Sequence, residues 1–242
     1  MRYKLPFILL AIAFLGVATL GQVSLTAKKV TYKRAKPIAD YKKSFTITYP
    51  KIKAVTPAIS KKIEAALSYE RAFDFSLREE MGEIQWLEDA SYDVNYNANK
   101  LLSISLTIEG SGAYPSSSTK YLIINTATGN RVLPVDVFIN TRGLLAKLVK
   151  MKNAEVEKTK ADLKKDPETK DDDLSGLFND AETYHKVKLD EMEIDENGVL
   201  FHHDYGFPHI ALALQPDGEF FLTWKELKPY IKKGGLLAAV AR

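Results

Sequence analysis

The sequence predicts an α+β fold, in which antiparallel sheets pack against helices in two sub-domain halves. The strongest signal lies in residues 91–138, where apolar and polar residues alternate with the two-residue period of strands that have one wet face. Helix signals lie elsewhere in the chain, as at Thr56 and Pro57, which form an N-cap and first-turn pair. An Asn197-Gly198 corner favours a hairpin near the C-terminus. Strand and helix signals that segregate along the chain are typical of this class.

The N-terminal half is expected over residues 44–115. Phe45, Ile47 and Tyr49 alternate with polar residues, which predicts a first strand that Pro50 ends. The later elements expected in this half are a helix through Ile59, Ile63 and Leu67, a second helical stretch that closes near Gly82, strands over 92–96 and 102–108 joined by a turn over 97–100, and a glycine-rich turn over 110–115.

The C-terminal half is expected over residues 116–242. A helix begins at Leu144, but its apolar period fades after Met151, so residues 152–183 are expected to be a charged insertion that leaves the core. Thr223 and Glu226 form a capping box for a short helix. The remaining expected elements are strands over 121–124, 131–138 and 236–240, and hairpins that pair 192–194 with 199–201 and 210–214 with 219–222.

The first 27 residues have the three parts of a secretory signal peptide. Arg2 and Lys4 precede an apolar run over 5–20, and cleavage is expected near residue 21 or residue 27. The alternative is a membrane anchor, but the run is shorter than the roughly 18 residues of a spanning helix. The chain has no cysteine, which excludes disulfides, thiolate catalysis and cysteine-ligated zinc. We therefore expect an exported protein that is periplasmic or at the cell surface.

Charge is distributed unevenly along the chain. Residues 28–62 hold eleven basic residues against Asp40 alone, a net charge of +10, while residues from Ile63 onward hold 21 basic and 30 acidic residues, a net charge of −9. Residues 28–43 are expected to be a basic lead-in, and such a segment can hold a membrane surface, a cell-wall polymer or an acidic protein. The favoured interpretation is a solvated leader and helix face whose charges are matched by the acidic remainder. Nucleic acid is not an expected partner of an exported chain.

Two sequence patterns are candidates for a catalytic or a metal-binding site. Ser117-Ser118-Thr119-Lys120 matches the Ser-x-x-Lys pattern of penicillin-binding enzymes, but it falls in an expected turn and no Lys-Thr-Gly follows. The densest group of potential zinc ligands is His202, His203, Asp204 and His209. Because adjacent residues of a strand point to opposite faces, His202 and His203 are not expected to share one ion. An ordinary polar loop and a partly exposed strand end are the simpler interpretations.

A third pattern has the spacing of a calcium loop. Asp171, Asp173, Ser175, Gly176 and Glu182 occupy positions one, three, five, six and twelve. The intervening residues fit poorly and no second loop is present to pair with it, so a solvated acidic linker is the favoured interpretation. The sequence therefore predicts no metal site and no cofactor, and it leaves calcium binding open.

Several short motifs occur in one order along residues 45–231. They are Tyr49-Pro50 before a helix, Ser91-Tyr92 with Leu101-Leu102-Ser103, Gly112-Ala113-Tyr114-Pro115, Thr128-Gly129 before Val135-Asp136-Val137-Phe138, and Asn197-Gly198-Val199 through Tyr205 and Pro208 to Glu226-Leu227. In this order they resemble the extracytoplasmic domain of unknown function shared by RsiV, the lysozyme-sensing anti-sigma factor, and the N-terminal region of PdaC-type peptidoglycan deacetylases. Ser111 and Tyr114 depart from the family turn, which usually reads Gly-Gly-Ala-His-Pro, so no role of that histidine carries over.

The resemblance implies an exported or membrane-tethered recognition domain. The 242 residues contain no sigma-factor-binding segment and no deacetylase domain, so neither activity is expected. The expected function is that of a non-catalytic binding module of the bacterial cell envelope, whose ligand is a protein or a cell-wall glycan. The alternative is an envelope hydrolase acting on peptidoglycan or another glycan. No residue is identified as catalytic or ligand-binding, and the oligomeric state stays open.

Overall fold

A computed structural model describes residues 22–169, 175–178 and 187–241. These residues form two sheets with helices packed against them, so the predicted α+β class is confirmed. In chain order the elements are β1 (Ser24–Lys33), β2 (Ser44–Lys53), α1 (Pro57–Ala66), α2 (Tyr69–Phe73), α3 (Leu77–Gly82), β3 (Leu87–Ala98), β4 (Leu101–Ser111), β5 (Pro115–Asn125), β6 (Asn130–Arg131), α4 (Pro134–Val137), α5 (Thr141–Leu163), a 3₁₀ turn (Ser175–Phe178), β7 (Met192–Ile194), β8 (Gly198–His202), a 3₁₀ helix (His209–Leu214), β9 (Glu219–Thr223), α6 (Trp224–Leu227) and a 3₁₀ turn (Leu236–Ala239).

The large sheet has the order β1-β2-β3-β4-β5-β6, and the small sheet has the order β7-β8-β9. Only the β2–β3 pair is parallel, because α1, α2 and α3 form the connection between those strands. Asn99 and Lys100 both adopt positive φ at the β3–β4 corner, as a tight hairpin turn requires. The large sheet runs through residue 115, where the sequence suggested a boundary between two halves, since β5 pairs with β4 along its whole length.

Two hydrophobic cores lie on opposite sides of the large sheet. The first is built from β2, β3, β4 and β5 with α1, and Leu102, Ile104 and Leu106 are its fully buried centre. The second joins Leu101 and Ile123 of the large sheet to the small sheet, α5 and α6. Residues of β4 and β5 contribute to both cores, so the two sides of the molecule share these strands.

The prediction that the polar face of β4 is exposed to solvent is wrong at the N-terminal end of the strand. Ser103 is 0% exposed and Ser105 is 8% exposed, although both alternate with the apolar residues as predicted. The covering element is β7, because the backbone N–H of Ile194 donates to Ser103 Oγ at 2.9 Å. Small hydroxyl side chains permit the close approach of a second sheet, and the polar face stays open only beyond Ser105.

Three other strand predictions are wrong, and each has a local reason. Residues 131–138 leave the sheet after Arg131, because Pro134 suits a first helical turn and Asp136 accepts from the N–H of Leu133 at 2.8 Å. Residues 210–214 form a 3₁₀ helix after Pro208, and β9 pairs with β8 in place of the predicted hairpin. Residues 236–240 form a 3₁₀ turn that buries Leu237.

The first half of the expected basic lead-in is an edge strand. Residues 24–33 pair with β2, and Pro50 lies inside β2 because that strand continues to Lys53. All ten lysines of residues 28–62 are exposed, whereas Arg34 is buried. Its guanidinium donates to the carbonyl oxygens of Glu80, Lys42 and Leu87 and lies 3.6 Å from the Glu80 carboxylate. Burial lowers the pKa of Arg34 and the Glu80 carboxylate opposes that shift.

The expected charged insertion begins as ordered helix. The helix α5 continues to Leu163, and Lys152 and Val156 on it are buried. Val156 packs with Phe178, Tyr205 and Phe207 in a third, smaller cluster. The helix therefore remains against the protein for two more turns than its apolar period indicates.

Candidate functional site

An open, polar cleft of about 800 Å³ lies where β5 meets the C-terminal part of the chain. One wall is residues 117–121 of β5, and the other is formed by residues 202–206 and 215–219. Lys188 and Glu191, just before β7, also line it. Hydroxyls, carboxylates and imidazoles dominate the lining, which suits a ligand held by several hydrogen bonds.

Contacts between the two sheets fix the geometry of the cleft. The Asn95 side chain on β3 donates to the Glu193 carboxylate on β7, and Lys120 on β5 lies 3.4 Å from the Glu191 carboxylate. Together with the buried bond from Ile194 to Ser103, these contacts place β7 against the polar face of β3, β4 and β5. The walls of the cleft are therefore held by side chains that come from both sheets.

A parallel stack of Tyr121 and His202 closes one end of the cleft. The ring centroids are 3.7 Å apart and the rings are inclined by 2°. His202 Nε2 lies 3.4 Å from a Glu193 carboxylate oxygen and is a buried nitrogen for which the described residues supply no hydrogen bond. The stack thus ties β5 to β8.

A second tyrosine–histidine stack lies just before β5, outside the lining of the cleft. Tyr114 precedes β5 and stacks on His209 with ring centroids 4.5 Å apart, although Tyr114 itself is 63% exposed. The part of β5 that lines the cleft therefore lies between two tyrosine–histidine contacts. Tyr114 takes part in this arrangement, although no role was expected for it from the sequence.

The carboxylate of Glu155 on α5 positions the loops of the far wall. One oxygen accepts from the Tyr205 hydroxyl at 2.7 Å, and the other accepts from the backbone N–H of Gly218 at 3.2 Å. Gly218 has φ of +68°, and a side chain there would collide with the carbonyl oxygen of His203. The backbone N–H of His203 also donates to the carbonyl oxygen of Gly218 at 2.8 Å, so the two loops are held together.

The cleft has an acidic surplus. Among its lining residues, Glu191, Asp204, Asp217 and Glu219 face two lysines, Lys120 and Lys188. Burial raises the pKa of Tyr121 to about 12, and the carboxylates of Glu193, Glu219 and Glu191 add to the shift. The phenol therefore stays neutral at ordinary pH, and the carboxylates favour a cationic ligand group.

The histidines singled out in the sequence do not form one metal site. His202 stacks on Tyr121, His203 meets the edge of Tyr205 at 4.7 Å between centroids, and His209 stacks on Tyr114. No group of three or more potential ligands that could hold a metal ion occurs within residues 22–169, 175–178 and 187–241. The dispersal follows from the chain direction, because residues 203–208 lead away from β8 before His209 begins the 3₁₀ helix.

The Ser-x-x-Lys pattern lies in β5 and not in the expected turn. Ser117 and Lys120 are three residues apart on a strand, so their side chains point to opposite faces. In the enzymes that use this pattern the serine and lysine must meet, and a strand separates them. Of the calcium-loop residues, Asp171, Asp173 and Glu182 lie outside the described residues.

Several cleft residues carried no signal in the sequence. Glu155 belongs to the fading end of a helix, and Glu191, Glu193 and Glu219 look like ordinary charged strand residues. Tyr121 was assigned to a strand without a role. The local traces of this site in the sequence are the Ser-x-x-Lys pattern over 117–120 and the group over 202–204, which line the cleft, whereas the acidic surplus after residue 63 is spread over many positions.

Two solved structures are similar to the whole described fold. One is the crystal structure of a DUF3298 family member from Bacteroides fragilis, which is 12% identical and aligns with a TM-score of 0.55 over 87% of this chain and 93% of its own. The other is a DUF3298 family protein from Pseudomonas aeruginosa, which is 12% identical with a TM-score of 0.50 over 87% of this chain and 94% of its own. The chain has a DUF3298-type fold.

DUF3298 denotes a family of unknown function, and at this identity the likeness concerns the fold alone. No protein-family model and no curated relative matches the sequence. The resemblance to the RsiV and PdaC domain stays a prediction. No helix in the described part of the chain is both long and apolar enough to cross a bilayer.

Proposed function

We propose that this protein is a non-catalytic recognition module of the bacterial cell envelope, which binds a protein or a cell-wall glycan in the cleft beside β5. The observation that carries the proposal is the convergence of polar groups from β5, β8 and β9 on one open space. These groups are oriented by their own contacts, such as the stack of Tyr121 on His202 and the bonds to Glu155. Binding to side chains that are already positioned loses less conformational entropy.

The proposal includes export. The apolar run over 5–20 is the reason for it, and the fold indicates where cleavage would leave the domain intact. Val23 is buried, and its N–H and C=O bond to the Asn97 side chain at 3.1 and 2.8 Å. Cleavage between Gly21 and Gln22 would keep these bonds, whereas cleavage after Ala27 would cut β1. These contacts support cleavage before Gln22, which we propose as the mature N-terminus.

A contact between the basic strand and an anionic membrane surface is a secondary part of the proposal. The exposed lysines of residues 28–62 lie on β1, β2, α1 and the loops that join them. Attraction of such a surface to anionic lipid falls as salt rises, because counterions screen it. Co-sedimentation of the mature chain with anionic vesicles should therefore be lost at high salt, and retention at high salt would contradict this electrostatic contact.

The main proposal is tested by comparing cleft variants with a remote control. We would measure co-sedimentation with purified peptidoglycan and capture of envelope proteins, using Glu219→Lys in the cleft and Glu83→Lys at the exposed end of α3. Loss of a bound species with Glu219→Lys and its retention with Glu83→Lys would support binding in the cleft. Equal retention by both variants, or no bound species at all, would contradict it.

The alternative function is that of an envelope hydrolase whose active site is the same cleft. Glycan hydrolysis uses two carboxyl groups on either side of the scissile bond, and the cleft holds four carboxylates. Release of reducing ends from peptidoglycan, lost with Glu191→Gln, Glu219→Gln or His202→Ala, would overturn the recognition proposal. No release by the wild-type chain would leave the binding results to decide.

A further inference from the structure

The segment of β5 that lines the cleft has a free backbone edge. Strand β5 pairs with β4 from Pro115 to Asn125, but β6 pairs only with Ile124 and Asn125. Residues 117–121 line the cleft consecutively, although alternate side chains of a strand point to opposite faces. A cleft that meets every residue of a strand must run along its edge.

The hydrogen bonds of β6 identify which groups point into the cleft. The carbonyl oxygen of Ile123 accepts from the N–H of Val132 at 2.7 Å, so Ile123 directs its backbone groups away from β4. In an antiparallel ladder these directions alternate with a period of two. Tyr121, Thr119 and Ser117 therefore direct one N–H and one C=O each into the cleft.

No described residue pairs with these groups, and the protection of the edge is slight, because Pro115 stands only at the start of β5 and its one lysine, Lys120, is paired with Glu191. Natural edge strands carry lysine, proline or a bulge where they must not pair. Strand β1, at the opposite edge of the same sheet, carries Lys28, Lys29 and Lys33. Residues 116–119 are three serines and a threonine in regular register with β4. The β5 edge is built to be paired.

We propose that β5 receives an extended, basic peptide segment of a partner protein as an added strand. This inference rests on the recognition function proposed above and commits it to a protein ligand. Backbone pairing with Ser117, Thr119 and Tyr121 supplies the affinity. Specificity comes from Glu219, Asp217 and Asp204 on the facing wall, which attract lysine or arginine side chains. The stack of Tyr121 on His202 ties the end of this edge to β8.

The first test uses the unmodified protein with synthetic peptides. The probe is a fluorescent decapeptide of alternating lysine and threonine, measured by anisotropy. Its controls are the glutamate–threonine decapeptide and a lysine–threonine decapeptide with every amide N-methylated. We expect each control to bind at least about tenfold more weakly, because one loses charge complementarity and the other loses backbone donors, each worth several-fold in affinity. Equal binding of either control would overturn the proposal.

The second test places proline on the edge. Thr119→Pro removes an N–H that points into the cleft and leaves the β4 ladder intact, as proline on an outer edge is tolerated. Thr119→Ala is the matched control, since it also loses the bond of Thr119 to the Thr107 hydroxyl but keeps the backbone N–H. Affinity for the lysine–threonine peptide should fall about tenfold with proline and less than about threefold with alanine. Ser117→Pro and Ser117→Ala form a second pair.

Two outcomes separate this inference from the broader function. Peptidoglycan binding that Glu219→Lys abolishes, with no peptide binding at millimolar concentration, would overturn strand addition and leave the recognition function standing. A dimer in sedimentation velocity that Ser117→Pro dissociates would replace the basic peptide by a second copy of the chain. Slowed amide exchange at Ser117, Thr119 and Tyr121 on addition of the peptide would support the proposal directly.

Discussion

The hydrogen bond between Ser103 and Ile194 gives the sharpest stability prediction, because it joins the two sheets where water has no access. Ser103 is 0% exposed, and its hydroxyl accepts from the Ile194 N–H at 2.9 Å. Ser103→Ala leaves that buried donor without an acceptor. An unsatisfied buried donor costs about 1–3 kcal/mol, so we expect the free energy of unfolding to fall by that amount.

Ser105→Ala is the matched control for this prediction. Ser105 lies on the same face of the same strand and is 8% exposed, but no described residue bonds to its hydroxyl. Its replacement should change stability by less than about 0.5 kcal/mol. Urea unfolding followed by circular dichroism measures both values. In a domain of this size, each kcal/mol also lowers the melting temperature by roughly 2–4 °C.

Equal losses of stability in the two alanine variants, or a loss below about 0.5 kcal/mol in Ser103→Ala, would show that the bond does not contribute as expected. A fall in the m-value in place of the midpoint would point to a looser native state. Because the bond lies between the walls of the cleft, Ser103→Ala should also weaken binding of the lysine–threonine peptide under conditions in which the variant remains folded.

Three further predictions concern charged and titrating groups. Arg34→Met leaves the Glu80 carboxylate buried without its cation and should cost about 3–5 kcal/mol in urea unfolding, and a cost below about 1 kcal/mol would contradict this. Bonds from Lys147 and Thr223 lower the pKa of Glu226 to about 2. Because the Glu226 side chain is exposed, Glu226→Gln should lower the free energy of unfolding by less than about 1 kcal/mol at neutral pH. That loss should vanish as pH falls from about 4 to 2. The raised pKa of Tyr121 favours the neutral phenol in the fold, so stability relative to Tyr121→Phe should fall as pH rises from 10 to 12, and no change over this range would contradict the burial of the phenol.

The sequence predicted the elements whose signals are local. The alternation of β4, the N-cap of α1 at Thr56 and the capping box of Thr223 and Glu226 all occur as expected. Each depends on residues within one strand or one helical turn, where geometry follows directly from residue type. The Asn197-Gly198 corner likewise forms the predicted hairpin between β7 and β8.

The failed strand predictions share a different cause. Residues 210–214 and 236–240 are apolar enough for strands, but a strand also needs a partner with free hydrogen-bonding groups. Strand β9 takes the free edge of β8, and the run at 210–214 is left to close on itself as a 3₁₀ helix with Ile210 95% exposed. Which of two segments pairs with a given strand edge depends on the whole chain. The hydrophobic periodicity of one segment therefore does not predict it.

The cleft escaped prediction for a related reason. Its contacts join Tyr121 to His202 and Glu155 to Tyr205, positions that are far apart in the sequence. The histidine cluster drew attention because its members are close in the chain, yet the fold sends each ring to a different aromatic partner. Adjacent residues of one strand direct their side chains to opposite faces. Residues that are far apart in the sequence can meet where two sheets pack together.

The small hydroxyl residues of β4 and β5 serve two structural ends. Ser103 is a polar position of an alternating strand, whereas Ser117 belongs to a run of hydroxyl residues that the sequence predicts as a turn, and the structure places both in strands. At Ser103 a second sheet arrives and the hydroxyl accepts a buried backbone bond. At Ser117 the facing wall stands off across the cleft and the backbone edge stays open. Small hydroxyl side chains allow another strand to approach in both places. At Ser103 the second strand is held through a side-chain hydroxyl on the face of the sheet, whereas the partner that we propose along β5 pairs with the backbone groups of the edge.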